Sequence, residues 1–106
     1  MRVSVSHTKG RQEARRIIDQ TTDDVMKGIV SGPVQITDQR RSWNGDTMDF
    51  GFTGRMGPFT APIHGSVAVT DTEVIIDIEL PGFLKNILPE ERVRSEVQTR
   101  VRGLLT

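Results

Sequence analysis

The residues best suited to chemistry are two histidines, several aspartates and one tryptophan beside arginines. His7 and His64 are the only histidines, and both fall on strand or strand-end segments. Two such ligands without a carboxylate at a known spacing do not define a metal site. A structural or solvent-exposed role is expected for each. Asp46 and Asp49 would be a candidate acid–base pair. Three residues apart on a strand, they point to opposite faces, which removes the pair. Asp46 reads instead as a turn residue bonding the hairpin backbone. The chain has no Gly-x-Ser-x-Gly, Gly-x-Gly-x-x-Gly, phosphate loop or His-Glu-x-x-His. No nucleophile–base pair can be named, so no catalytic residue, metal or cofactor is expected.

Binding is better represented. Trp43 sits in "QRRSWNGDTMDFGF", residues 39–52, beside Arg40 and Arg41 and against Asn44-Gly45. Lys9, Arg11, Arg15 and Arg16 crowd the N-terminal half of a helical segment, while Asp19, Asp23 and Asp24 come later. That order opposes the helix dipole, at roughly 0.3–1 kcal/mol per charge. A candidate binding surface for an anionic partner therefore comprises Arg15, Arg16, Arg40, Arg41 and Trp43. The plainer reading is a solvated face with local pairs such as Arg15–Asp19 and Arg16 with Asp19 or Gln20. Phe52, Met56, Phe59, Phe83 and Leu84 crowd turns and strand ends. They are expected to close the core, as are Ile87 and Leu88 of "GFLKNIL". An exposed subset would be a docking patch.

The elements that must position these residues follow from periodicity. "RVSVSH" alternates and predicts a first strand, after which Thr8 is a plausible N-cap. Ala14, Ile17, Ile18, Thr21, Val25, Met26 and Ile29 form a helical stripe, ended by Gly32 and Pro33. Four strands follow. Their alternating sets start with Val34 and Ile36, then Met48, Phe50 and Phe52, then Ile63 to Val69, then Ile76 to Leu80. Pro89 fits the first turn of a closing helix, with Glu90 and Glu91 at its positive end. Val93, Val97, Val101 and Leu104 or Leu105 form its apolar stripe. The order βαββββα with short links predicts an α+β fold. Five strands form an antiparallel-dominated sheet with both amphipathic helices on one face.

The register of the hairpin has two solutions. A two-residue loop at Asn44-Gly45 pairs Trp43 with Asp46 and turns Ile36 away from Phe52. A three-residue loop with Gly45 in the left-handed conformation pairs Ser42 with Asp46 and sets Ile36 opposite Phe52. The second is preferred because register follows burial. In either, Asp38 to Ser42 supply no apolar partner for Met48 and Phe50. That end projects past the core or is covered from elsewhere.

Length and composition narrow the class. The 106 residues suit a single domain spanning 1–106, which buries roughly 65% of its unfolded surface. Fourteen acids balance 14 bases, so no global field selects nucleic acid or an anionic membrane. The absence of cysteine removes disulfides and thiolate chemistry and fits a reducing cytoplasm. "MRVSVSHTKG" lacks the apolar run of a signal peptide. No run approaches the ~20 apolar residues of a transmembrane helix. An uncovered edge strand would offer a route to a homodimer.

His7 before an arginine-rich helix, "W-N-G-D" from Trp43 to Asp46, Phe50, Gly54, "GSVAV" from Gly65 to Val69 and "IDIEL" from Ile76 to Leu80 occur in that order. Together they resemble the putative polyhydroxyalkanoic acid system family, over nearly the whole chain. His7, Trp43, Gly45 and Asp46 are the motif positions. The resemblance implies a bacterial cytoplasmic protein tied to polyhydroxyalkanoate storage. Its expected partners are granule proteins or the granule surface, and no catalytic mechanism comes with it. A non-enzymatic accessory role is the first expectation. A small helix-grip-like carrier of an apolar or acyl ligand is the alternative.

Overall fold

The computed structural model describes residues 1–29, 35–80, 82 and 89–106, and in residues 23–29 the backbone alone. Its elements are β1 (Arg2–Ser6), α1 (Arg11–Ile29), β2 (Gln35–Asn44), β3 (Thr47–Met56), β4 (Phe59–Val69), β5 (Glu73–Glu79) and α2 (Glu90–Leu105). The strands form one sheet in the order β1-β5-β4-β3-β2, and every neighbouring pair is antiparallel. The architecture is α+β in the order βαββββα, as the periodicity predicts. β1 and β2 are the two edges, so α1 must carry the chain across the sheet from one edge to the other. That crossing is what brings a helix over the Trp43 hairpin.

Alternation decides what is buried. Val3 and Val5 of β1, Val74, Ile76 and Ile78 of β5, Ile63, Val67 and Val69 of β4, and Met48, Phe50 and Phe52 of β3 share one face. Ala14 and Ile18 of α1 and Val93, Val97, Val101 and Leu105 of α2 complete the core. Each buried branched side chain contributes about 1.5–3 kcal/mol of transfer free energy. The other face of the sheet is polar, with Arg2, Ser4, Asp49, His64 and Glu79 exposed.

Gly65 faces the core directly opposite Phe50. A Cβ there would stand 2.4 Å from Phe50 Cζ and 2.6 Å from the Asp77 carbonyl oxygen. The missing side chain is therefore the seat of the Phe50 ring, which also stacks on Phe52 at 6.5 Å.

Several expectations change. α1 begins at Arg11, and the Gly10 carbonyl accepts the first helical bond from Ala14 N–H at 3.1 Å. Gly10, with φ +82°, rather than Thr8, is the N-cap. Pro89 likewise stands just before α2, its carbonyl accepting from Arg92 and Val93. The hairpin follows neither expected register. Trp43 pairs with Met48 and Asn44 with Thr47, so the loop is Gly45-Asp46. Gly45 takes φ +64°. Ile36 still reaches the core face, opposite Gly54. A bulge achieves this: Asp38 and Gln39 together face Phe52, with Asp38 at φ +55°. The extra residue resets the alternation that the short loop would otherwise have put out of phase. Aspartate tolerates that conformation better than most residues.

Phe52 is buried and Met56 packs on the core, but Phe59 is 58% exposed. It pairs with Met56 at the far tip of the β3–β4 hairpin, so it does not close the core as expected. Val34, Gly32, Pro33, Phe83, Leu84, Ile87 and Leu88 lie outside the described residues, as do the side chains of Val25, Met26 and Ile29. Among the described residues, no helix is long and apolar enough to cross a membrane.

Candidate functional site

Trp43 stands on edge strand β2 with its side chain on the helix side of the sheet, because it pairs with buried Met48. The ring does not hang from the hairpin tip. Its Nε1–H donates to Asp19 Oδ1 of α1 at 2.8 Å, and the Arg15 guanidinium lies 4.6 Å from the ring centroid. Arg41 Nε approaches the same Asp19 oxygen at 3.7 Å. Arg15 and Asp19 are one helical turn apart and so project together. Indole, two guanidinium groups and one carboxylate make a half-exposed ledge along the β2 edge. This answers how Met48 is covered. α1 does it, with Thr22 Oγ1 3.7 Å from Met48 Sδ, and Trp43 packs alongside.

The remaining motif positions also join α1 to the sheet. Among the described residues the Asp46 side chain does not bond the hairpin backbone as expected; its Oδ2 pairs instead with Arg11 Nη1 at 3.2 Å. Arg11 Nε also approaches Asp71 Oδ1 at 3.7 Å, so the first helical turn ties two hairpin turns together. Both pairs are half-exposed, and each is worth less than about 1 kcal/mol. They nonetheless explain why arginine occupies the positive end of this helix. The Asp46 carbonyl accepts from Val69 N–H at 2.9 Å, locking the loop to β4.

His7 is buried at 7% exposure. Its Nδ1 accepts from Lys9 N–H at 3.2 Å, which places the ring proton on Nε2, and Nε2 donates to the Thr70 carbonyl at 3.0 Å. Its own N–H donates to Thr72 O at 2.9 Å. Both ring nitrogens hold backbone, so the histidine fastens the β1–α1 junction to the β4–β5 turn. Among the described residues, no group of three or more His, Cys, Asp or Glu side chains is placed to hold a metal.

The four arginines of the expected surface separate. Arg15 and Arg41 flank Trp43. Arg16 stays on its own helix, with Nε donating to Glu13 Oε2 at 3.1 Å and Nη1 to Gln20 Oε1 at 3.0 Å. The same contact holds the Glu13 carboxyl below its usual range, the hydrogen bond from Arg16 being the main cause. Arg40 alternates with Arg41 along β2 and lies on the open face, near Gly51 and His64. The sequence reading placed Arg11 only in the basic end of the helix and Asp19 only in local pairs with Arg15 and Arg16. Asp19 carries only a helical-spacing signal to Arg15, and nothing in the sequence links either residue to the hairpin.

The fold and the ledge define a small α+β protein whose motif residues anchor a crossing helix and present an aromatic, arginine-flanked edge. Residues 1–105 match the family described as putative polyhydroxyalkanoic acid system protein, and the chain belongs to that family. No curated protein and no solved structure gives a significant match.

Proposed function

We propose that the protein is a non-enzymatic, cytoplasmic accessory component of the bacterial polyhydroxyalkanoate storage system. It binds a granule protein or the granule surface. Family membership supports the link to that system. The observation that carries the binding role is the ledge on β2, where Trp43 stays half-exposed between Arg15 and Arg41. Tryptophan and arginine at a shared exposed edge are the residue types that dominate protein-binding surfaces. Phe50, seated over Gly65, fills the middle of the core face of β3 and β4, which supports this role over a carrier of an acyl ligand.

Co-sedimentation with isolated granules tests the reading. The native protein is expected in the granule fraction and a denatured control is not. Arg15→Glu with Arg41→Glu should release it, while Arg16→Glu with Arg40→Glu should not. Thermal melts confirm that both double variants are folded. Absence of the native protein from the granule fraction, together with no binding to any granule protein, would discard the role.

A further inference from the structure

The open face of the sheet contains an arrangement that the ledge does not use. Gly51 lies in the middle of β3, buried, and its φ is not in the left-handed region that calls for glycine. Glycine inside a strand weakens it, and often marks a place where something approaches the backbone closely. On the covered face that something is Phe50 over Gly65. Over Gly51 it is two polar groups. A Cβ there would lie 3.2 Å from His64 Nδ1 and 3.5 Å from Arg40 Nη2. The ladder sets this up, since Gly51 pairs with Arg40 on one side and with His64 on the other. Imidazole and guanidinium thus face each other across one missing side chain.

Elsewhere on this face charged and polar groups pair across strands. Arg2 Nε bonds Asp77 Oδ1 at 3.0 Å, and Ser4 Oγ bonds Glu73 Oε2 at 2.6 Å. Arg40 and His64 make no such side-chain bond among the described residues. Arg40, Ser42, Asp49, Gly51 and His64 line a shallow depression of about 330 Å³.

We propose that this depression is a binding site for a small hydroxy-carboxylate. One carboxylate oxygen sits above Gly51, accepting from Arg40 and from His64 in its Nδ1–H form. Arginine is the side chain best matched to a carboxylate. Asp49 sets the rest of the specificity. It stands two residues along β3 from Gly51, about 7 Å at strand spacing, opposite Ser42 and Ser66. A hydroxyl a few bonds from the carboxylate can donate to it. A second negative charge on the ligand would be repelled, which disfavours phosphate with its charge of about −1.5 to −2 at pH 7. The site is on the opposite face from the ledge, so it stands whether or not the protein binds granules.

The test is amide and imidazole chemical-shift titration at constant ionic strength with propionate, 3-hydroxypropionate and inorganic phosphate. Saturable shifts centred on Gly51, His64 and Arg40 are expected with both carboxylates, with the hydroxy acid binding at least threefold tighter. Arg40→Gln and Gly51→Ala should each weaken binding tenfold or more. The added methyl of Gly51→Ala would stand 3.2 Å from His64 Nδ1 and 3.5 Å from Arg40 Nη2, so it displaces the two groups that hold the carboxylate. His64→Gln with Arg40→Gln serves if the alanine variant misfolds. Asp49→Asn should remove the preference for the hydroxyl. Linear, non-saturating shifts, or equal affinity in the wild type and Arg40→Gln, would overturn the proposal. Phosphate binding as tightly as propionate would overturn the carboxylate assignment.

Discussion

Gly65 and Gly51 lie on neighbouring central strands, one on the face that packs the helices and the other on the polar face. Both remove a side chain from a position where a strand normally has one. On the covered face the gap is filled by the Phe50 ring and bounded by the Asp77 carbonyl, neither of which can move away. On the open face the gap is bordered by the tips of Arg40 and His64, which can. The same residue type is thus a packing requirement on one side of the sheet and, on the other, a gap covered by polar side chains. The difference lies in what stands above each strand: α1 and α2 over one face, polar side chains over the other.

The contrast can be broken by substitution. Gly65→Ala has the largest expected effect, a loss of about 3 kcal/mol measured by urea unfolding, because overpacking against rigid neighbours costs that order. A neutral Gly65→Ala would show that Phe50 is not seated as described. Trp43→Ala comes next, at about 2 kcal/mol, from a half-buried ring and its bond to Asp19. Trp43→Phe keeps most of the packing and should lose about 1 kcal/mol, isolating the Nε1–H bond. Gly45→Ala should cost about 1 kcal/mol, because its φ of +64° strains any other residue although its surroundings are open. Gly51→Ala should be nearly neutral, within about 0.5 kcal/mol, and a melt matching the wild type would sharpen the contrast with Gly65.

The smallest effect concerns Glu13, whose carboxyl is held below its ordinary value by Arg16. A depressed carboxyl contributes stability that is present above its unfolded pKa. That contribution is lost as pH falls through the folded pKa. Glu13→Gln should therefore differ slightly from the wild type at neutral pH and converge with it in acid, as read from melts across that range. Divergence growing toward acid would contradict the assignment.

How much of this was legible depends on the range of the interactions. Alternation in β1, β4 and β5 and the stripe Val93, Val97, Val101 and Leu105 are local patterns, so the elements and the buried faces could be read directly. The hairpin could not. Asn44-Gly45 signalled a turn, but burial of Met48 beneath α1 sets the register, and a bulge at Asp38 then restores Ile36 to the core. The candidate surface was half legible. Trp43 and its flanking arginines were visible as residue types. Their division between two faces follows from strand alternation once the register is known, with Arg41 on one side and Arg40 on the other. His64 read as unremarkable because its neighbour across the sheet, Gly51, is thirteen positions away in sequence.

The sequence by itself determined the order βαββββα, the apolar faces and the membership of the family, since each rests on residue types in a linear order. Only the tertiary structure decided that Trp43, Asp46 and His7 hold α1 and the hairpin turns to the sheet, and that Arg40 and His64 meet over Gly51. Those contacts join strands and helices distant in the chain. Their geometry exists only after the sheet has closed and α1 has crossed it from the β1 edge to the β2 edge.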